Sequence, residues 1–155
     1  MSKIVVDKKV PDFKLPATGE KEVALSDFIG SKLVLYFYPR DNTPGCSRES
    51  QDFKSKARSF DSHNTKIIGV SRDTIKSHEK FKGKYKFPFD LLSDQDEEVC
   101  KLFDVIKPKS MYGKMFRGIE RSTFLIDEKG ILRQEWRKVK VSGHVAEVLE
   151  AAKNI

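Results

Sequence analysis

Apolar positions fall in short continuous runs separated by polar, turn-forming segments. Leu33 to Tyr38 is the longest such run; it is β-branched and aromatic and does not alternate, the pattern of a strand buried on both faces. Thr65–Ser71 (TKIIGVS) and Ser122–Ile126 (STFLI) read the same way, and Ile131–Trp136 follows the tight turn Asp127–Gly130 as a hairpin partner. Phe13–Leu15 and Val23–Leu25 flank the turn formers Pro16 to Glu20 and predict an N-terminal hairpin, with Ser26 and Asp27 capping a brief helical turn that ends at Gly30.

Helical spacing appears between these strands. Residues from about Cys46 to Ser59 or Phe60 place Phe53, Ala57 and Phe60 on one face. Asp73 or Thr74 caps a second helix running to about Lys82 and closed by Gly83. A short strand near Leu91 precedes a third helix, Gln95 to Phe103, capped by Ser93 and Asp94 and carrying Cys100. Lys107 to Gly118 shows turn formers and no period, so an irregular connection is expected. The chain closes with a helix from about Gly143 to Lys153 that buries Val145, Val148, Leu149 and Ala152. Strands alternating with helices from Lys32 to Phe103 imply βαβ units around a mainly parallel sheet.

At 155 residues the chain is expected to form one domain with one core. Hydrophobic residues at 38% and charged residues at 34% fit a water-soluble protein, and no apolar run approaches the ~20 residues that cross a bilayer. MSKIVVDKKVPDF lacks a secretory leader pattern, so a cytoplasmic location is expected. A net charge of +7 raises nucleic acid as a partner, but the lysines are scattered among 23 acidic residues, which argues against it. Two cysteines cannot build a disulfide framework, which suits a reducing compartment.

The chemistry concentrates after the longest apolar run. Pro39 ends the strand, Asp41 to Gly45 form a loop, and Cys46 then falls in the first turn of a helix. Free backbone N–H groups and the positive end of the helix dipole favour a thiolate there, and the thiolate is the nucleophilic form. Thr43 lies three residues before it. Arg40 and Arg48 are near in sequence, but spacing alone does not aim either at the sulfur. Glu49, where a C-x-x-C motif would need its second cysteine, excludes a disulfide oxidoreductase of that type. His63, His78 and His144 are isolated, so neither a Cys/His hydrolase nor a metal centre is indicated, and no G-x-G-x-x-G or P-loop string suggests a nucleotide.

Pro39, Thr43 and Cys46 match the P-x-x-x-T-x-x-C signature of peroxiredoxins, and YFYPRDNTPGCSRESQDF resembles the bacterioferritin comigratory protein branch, also called peroxiredoxin Q. PDFKLPATG, LLSDQDEEVCKLFDV and GIERSTFLIDEKGIL extend the resemblance over most of the chain. It implies an α/β thioredoxin-like fold, a central mixed sheet flanked by helices with an N-terminal β-hairpin. It also implies a thiol peroxidase without metal or organic cofactor, acting on hydrogen peroxide and organic hydroperoxides.

In that reading Cys46 is the peroxidatic thiol, Thr43 and Arg121 hold the peroxide, Pro39 shields the sulfur, and Glu49 either orients Arg121 or is only a first-turn acid. The branch often carries a resolving cysteine five residues after the peroxidatic one; here that position is Gln51. Cys100 is then either a core residue or a resolving thiol, and a one-cysteine cycle completed by thioredoxin, glutaredoxin or a small thiol is expected of a monomer. The competing reading is a catalytically silent binding or chaperone-like module on the same fold.

Overall fold

The computed structural model describes residues 4–155, so the leader reading falls partly on residues outside those described. Seven strands form one sheet: β1 (Lys14–Ala17), β2 (Lys21–Ala24), β3 (Lys32–Phe37), β4 (Thr65–Ser71), β5 (Asp90–Ser93), β8 (Ser122–Ile126) and β9 (Leu132–Trp136). Their order is β2-β1-β5-β4-β3-β8-β9. Only β5, β4 and β3 run parallel to one another, and the pairs toward both edges are antiparallel. The sheet is therefore mixed rather than mainly parallel. The helices are α1 (Pro44–Ser62), α2 (Ile75–Tyr85), α3 (Glu98–Leu102) and α4 (His144–Lys153).

Strand β3 sits centrally because every one of its side chains is buried, and the pleat sends alternate residues to opposite faces. Leu33, Leu35 and Phe37 join a cluster with Val99, Cys100, Phe103 and Phe124. Val34, Tyr36 and Tyr38 join a second cluster with Cys46, Phe53, Phe60, Phe81 and Val148. Helices α1, α2 and α4 thus cover one face, and α3 with the N-terminal segment covers the other. Lys32, buried at the start of β3, donates from Nζ to the Ala152 carbonyl at 2.8 Å and so satisfies the end of α4.

Several boundaries differ from those the sequence predicts, each for a local reason. The first helical turn is a 3₁₀ turn, Leu25–Phe28, capped at Ala24, whose N–H donates to the Asp27 carboxylate at 2.9 Å. Thr74 caps α2 by accepting from Ser77 N–H at 3.1 Å, but the helix passes through Gly83 and stops where Lys86 adopts φ +56°. Helix α3 starts three residues later than Gln95, after Glu97 takes φ +61°. The main correction lies at 107–118. This segment is a hairpin, β6 (Ile106–Met111) with β7 (Lys114–Ile119), forming a separate two-stranded sheet. Its turn, Tyr112–Gly113, has positive φ at both residues, as a two-residue hairpin turn of the I′ kind requires.

Candidate active site

Three backbone features deliver Cys46 to its place. Strand β3 ends as Tyr38 N–H donates to the Val70 carbonyl at 3.1 Å, and half-buried Pro39 turns the chain outward. Asn42 takes φ +61°, and the helix opens when Ser47 N–H reaches the Thr43 carbonyl at 2.8 Å. Pro44 occupies the first helical turn, where a missing N–H costs nothing. Cys46 is thereby held 1% exposed in the first turn of α1, where backbone N–H groups have no intrahelical acceptor.

Across the sheet, the β3–β8 register pairs Phe37 with Ser122 and so sets Arg121 beside the end of β3. Its guanidinium bridges two groups. Nη2 donates to Cys46 Sγ at 3.3 Å and Nη1 donates to Glu49 Oε1 at 2.8 Å. The fork fixes the cation on the sulfur, because two donors in one plane leave it little rotational freedom. Gly45 makes the approach possible: a Cβ there would lie 3.1 Å from Arg121 Nη2. In the sequence Gly45 is only a loop former; its second role depends on a residue 76 positions away and carries no local signal.

Glu49 is fully buried, and its Oε2 has no hydrogen-bond partner among the described residues. Burial pushes its carboxyl up to about 7, against the opposing pull of the Arg121 charge. Thr43 Oγ1 donates to the Arg40 carbonyl at 3.0 Å, which commits the hydroxyl proton and leaves the oxygen lone pairs free to accept. Arg40 and Arg48 are exposed. Beneath the thiol, Tyr36 stacks on Phe53 with centroids 4.5 Å apart and shares a 2.8 Å hydrogen bond with Ser50 Oγ. Lys109 of β6 is within electrostatic reach of the site: burial and then the like charge of Arg121 push its ammonium down, with Cys46 countering.

Cys100 is elsewhere. It belongs to the cluster on the opposite face of the sheet from Cys46, it is fully buried, and burial followed by the Asp94 carboxylate pushes its thiol up. A cavity of about 630 Å³ lined by Ala57, Ile67 and Phe89 touches none of Pro39, Thr43, Cys46, Glu49 or Arg121. Sequence reasoning missed the cluster of Asp41, Asp73 and His78, whose ligand-type atoms all lie within 4.8 Å of one another.

A cysteine at a helix start, facing a fixed cation on a thioredoxin-like sheet, is the arrangement of a thiol peroxidase. The family pattern described as AhpC/TSA family matches residues 6–135. Peroxiredoxin Bcp of Bacillus subtilis is 49% identical over 152 residues, spanning 98% of this chain and 97% of its own. The crystal structure of a cysteine-to-serine variant of Xylella fastidiosa PrxQ superimposes with a TM-score of 0.93 at 44% identity, covering 99% of this chain and 98% of that one. Structures of the Xanthomonas campestris bacterioferritin comigratory protein, which address its alkyl peroxide reduction, give 0.87 at 50% identity over 92% and 90% of the two chains. The chain belongs to the AhpC/TSA family, in the peroxiredoxin Q branch, and is a thiol-dependent peroxidase.

Proposed function

We propose that Cys46 is the peroxidatic residue and that the cycle is of the one-cysteine type. The Cys46 thiolate attacks one oxygen of a hydroperoxide: an S–O bond forms as the O–O bond breaks, and the leaving oxygen takes up a proton to depart as water or an alcohol. Arg121, donating to the sulfur at 3.3 Å, is the observation that carries this reading, since the same guanidinium sits where charge passes from sulfur to the leaving oxygen. Thr43 accepts a hydrogen bond from the peroxide O–H on the lone pairs it keeps free, and the first-turn N–H of Cys46 donates to a peroxide oxygen. Pro39 limits water at the sulfur. Glu49 orients Arg121 through its 2.8 Å contact. Alkyl peroxide reduction by the Xanthomonas relative supports extending the substrates from hydrogen peroxide to organic hydroperoxides.

The resulting sulfenic acid condenses with an external thiol, losing water, and a second thiol then releases the enzyme. Thioredoxin, glutaredoxin or a small thiol fills this part, because Cys100 lies across the sheet in the other core cluster. Both core clusters pack on one sheet, which supports a single domain, and in this reading the chain acts as a monomer. Both cysteines are free, which suits the cytoplasm. The intact geometry at Cys46 disfavours a silent binding module.

The test is turnover and intact mass. Cys46→Ser is expected to abolish peroxide consumption and Cys100→Ser to retain most of it, with one equivalent of peroxide adding a single oxygen to the wild-type chain. Equal loss in both variants, or a wild-type mass lighter by two hydrogens, overturns the one-cysteine cycle.

A further inference from the structure

The loop that carries Thr43 is pinned from below by a buried polar clasp. Asp41 is buried with its side chain 2% exposed, and a carboxylate so placed is costly unless its lone pairs are filled. They are filled from three directions. Tyr38 Oη donates to Oδ1 at 2.6 Å, Ser77 Oγ donates to Oδ2 at 2.8 Å, and His78 Nδ1 meets Oδ2 at 2.7 Å. The other ring nitrogen of His78 lies 2.8 Å from the Leu92 carbonyl, an obligate acceptor, so Nε2 carries a proton there. The Asp41 N–H donates to Asp73 Oδ2 at 2.9 Å, and that oxygen also accepts from Ser71 Oγ.

The close grouping of Asp41, Asp73 and His78 is therefore occupied by protein donors rather than shaped as a cation site. It ties together four segments: the end of β3, the end of β4, the first turn of α2 and strand β5. One loop geometry satisfies Asp41, and Thr43 follows two residues later with its hydroxyl committed to the Arg40 carbonyl.

We propose that Asp41 and His78 are positioning residues of the peroxidase reaction, their clasp fixing the 39–43 loop so that the Thr43 lone pairs face the peroxide. This rests on the reading that Thr43 holds the peroxide. Loosening the clasp leaves the sulfur and Arg121 in place but misplaces Thr43, and a displacement of order an ångström lowers a rate by about 10–100-fold.

The experiment uses the reduced full-length chain and two reagents at Cys46, hydrogen peroxide, which needs Thr43, and iodoacetamide, which does not. His78→Gln is expected to lower the peroxide rate constant by about 10–100-fold while alkylation changes by no more than about twofold. In a Thr43→Val background the same substitution is expected to cost nothing further. Should His78→Gln fail to fold, Ser77→Ala, which removes one hydroxyl from Asp41, carries the test with a smaller loss of the same pattern. Parallel loss of alkylation and peroxide rate, or losses that multiply in the double variant, overturns the proposal. Thr43→Val without effect on its own removes the peroxide-holding reading and the positioning reading with it, whereas survival of turnover in Cys46→Ser removes the site assignment itself.

Discussion

Replacing Glu49 by glutamine tests whether the acid behind Arg121 is a strained group. Its carboxyl lies inside the protein with one oxygen unpartnered among the described residues, and burial raises it from 4.5 to about 7 despite Arg121. Between those two values the folded chain keeps a proton that the unfolded chain has lost, so the contribution of Glu49 to stability is fully present below about 4.5 and is lost as pH rises through about 7. At 1.36 kcal/mol per unit the whole loss is about 3 kcal/mol, and about 2–3 kcal/mol of it falls between pH 5 and pH 8. Glutamine removes this dependence and adds only a pH-independent cost for its own amide. Urea unfolding of both proteins at several pH values is the assay. The stability of Glu49→Gln relative to wild type is expected to improve by about 2–3 kcal/mol from pH 5 to pH 8. A difference that stays constant across that range refutes the reasoning.

His144 is expected to act with the opposite sign. Burial lowers its imidazole from 6.5 to about 4 while its Nε2 lies 2.8 Å from Thr123 Oγ1, so its contribution is present above about 6.5 and lost as pH falls through about 4. The two groups nearly offset one another around pH 5 to 6, so the same unfolding series on His144→Phe should show stability falling across that range where the wild type stays nearly flat. Gly69→Ala is expected to destabilise by about 1–3 kcal/mol in thermal or urea melts and to lower peroxidase activity. Its Cβ would lie 2.8 Å from Leu91 Cδ2 and 2.9 Å from Tyr36 Cζ and Oη, displacing the ring whose hydroxyl meets Ser50 beneath the thiol.

The strands that pack on both faces were legible because burial forces an unbroken apolar run, as in β3, β4 and β8. The β6–β7 hairpin was not, since it pairs only with itself, exposes most of its side chains and holds Pro108. Its turn also hides its signature, with Tyr112 rather than asparagine or aspartate at φ +52°. At the site, Pro39, Thr43, Cys46 and Glu49 are neighbours in sequence, so a strand ending in a loop and a helix suffices to place them. The contact from Arg121 to Cys46 depends on the register of β8 against β3, and only the family resemblance pointed to it. The Asp41–His78 pair is 37 residues apart and left no trace in any local pattern.

The sheet that separates the two sulfurs also equips the molecule with two stopwatches. Cys100, sealed in its own layer among Val99, Phe103 and Phe124, reacts with a labelling reagent only when the whole structure comes apart, while Cys46 registers the briefer parting of one helical turn. Timing both labels in a single sample separates breathing at the surface from collapse of the fold, with no foreign probe introduced.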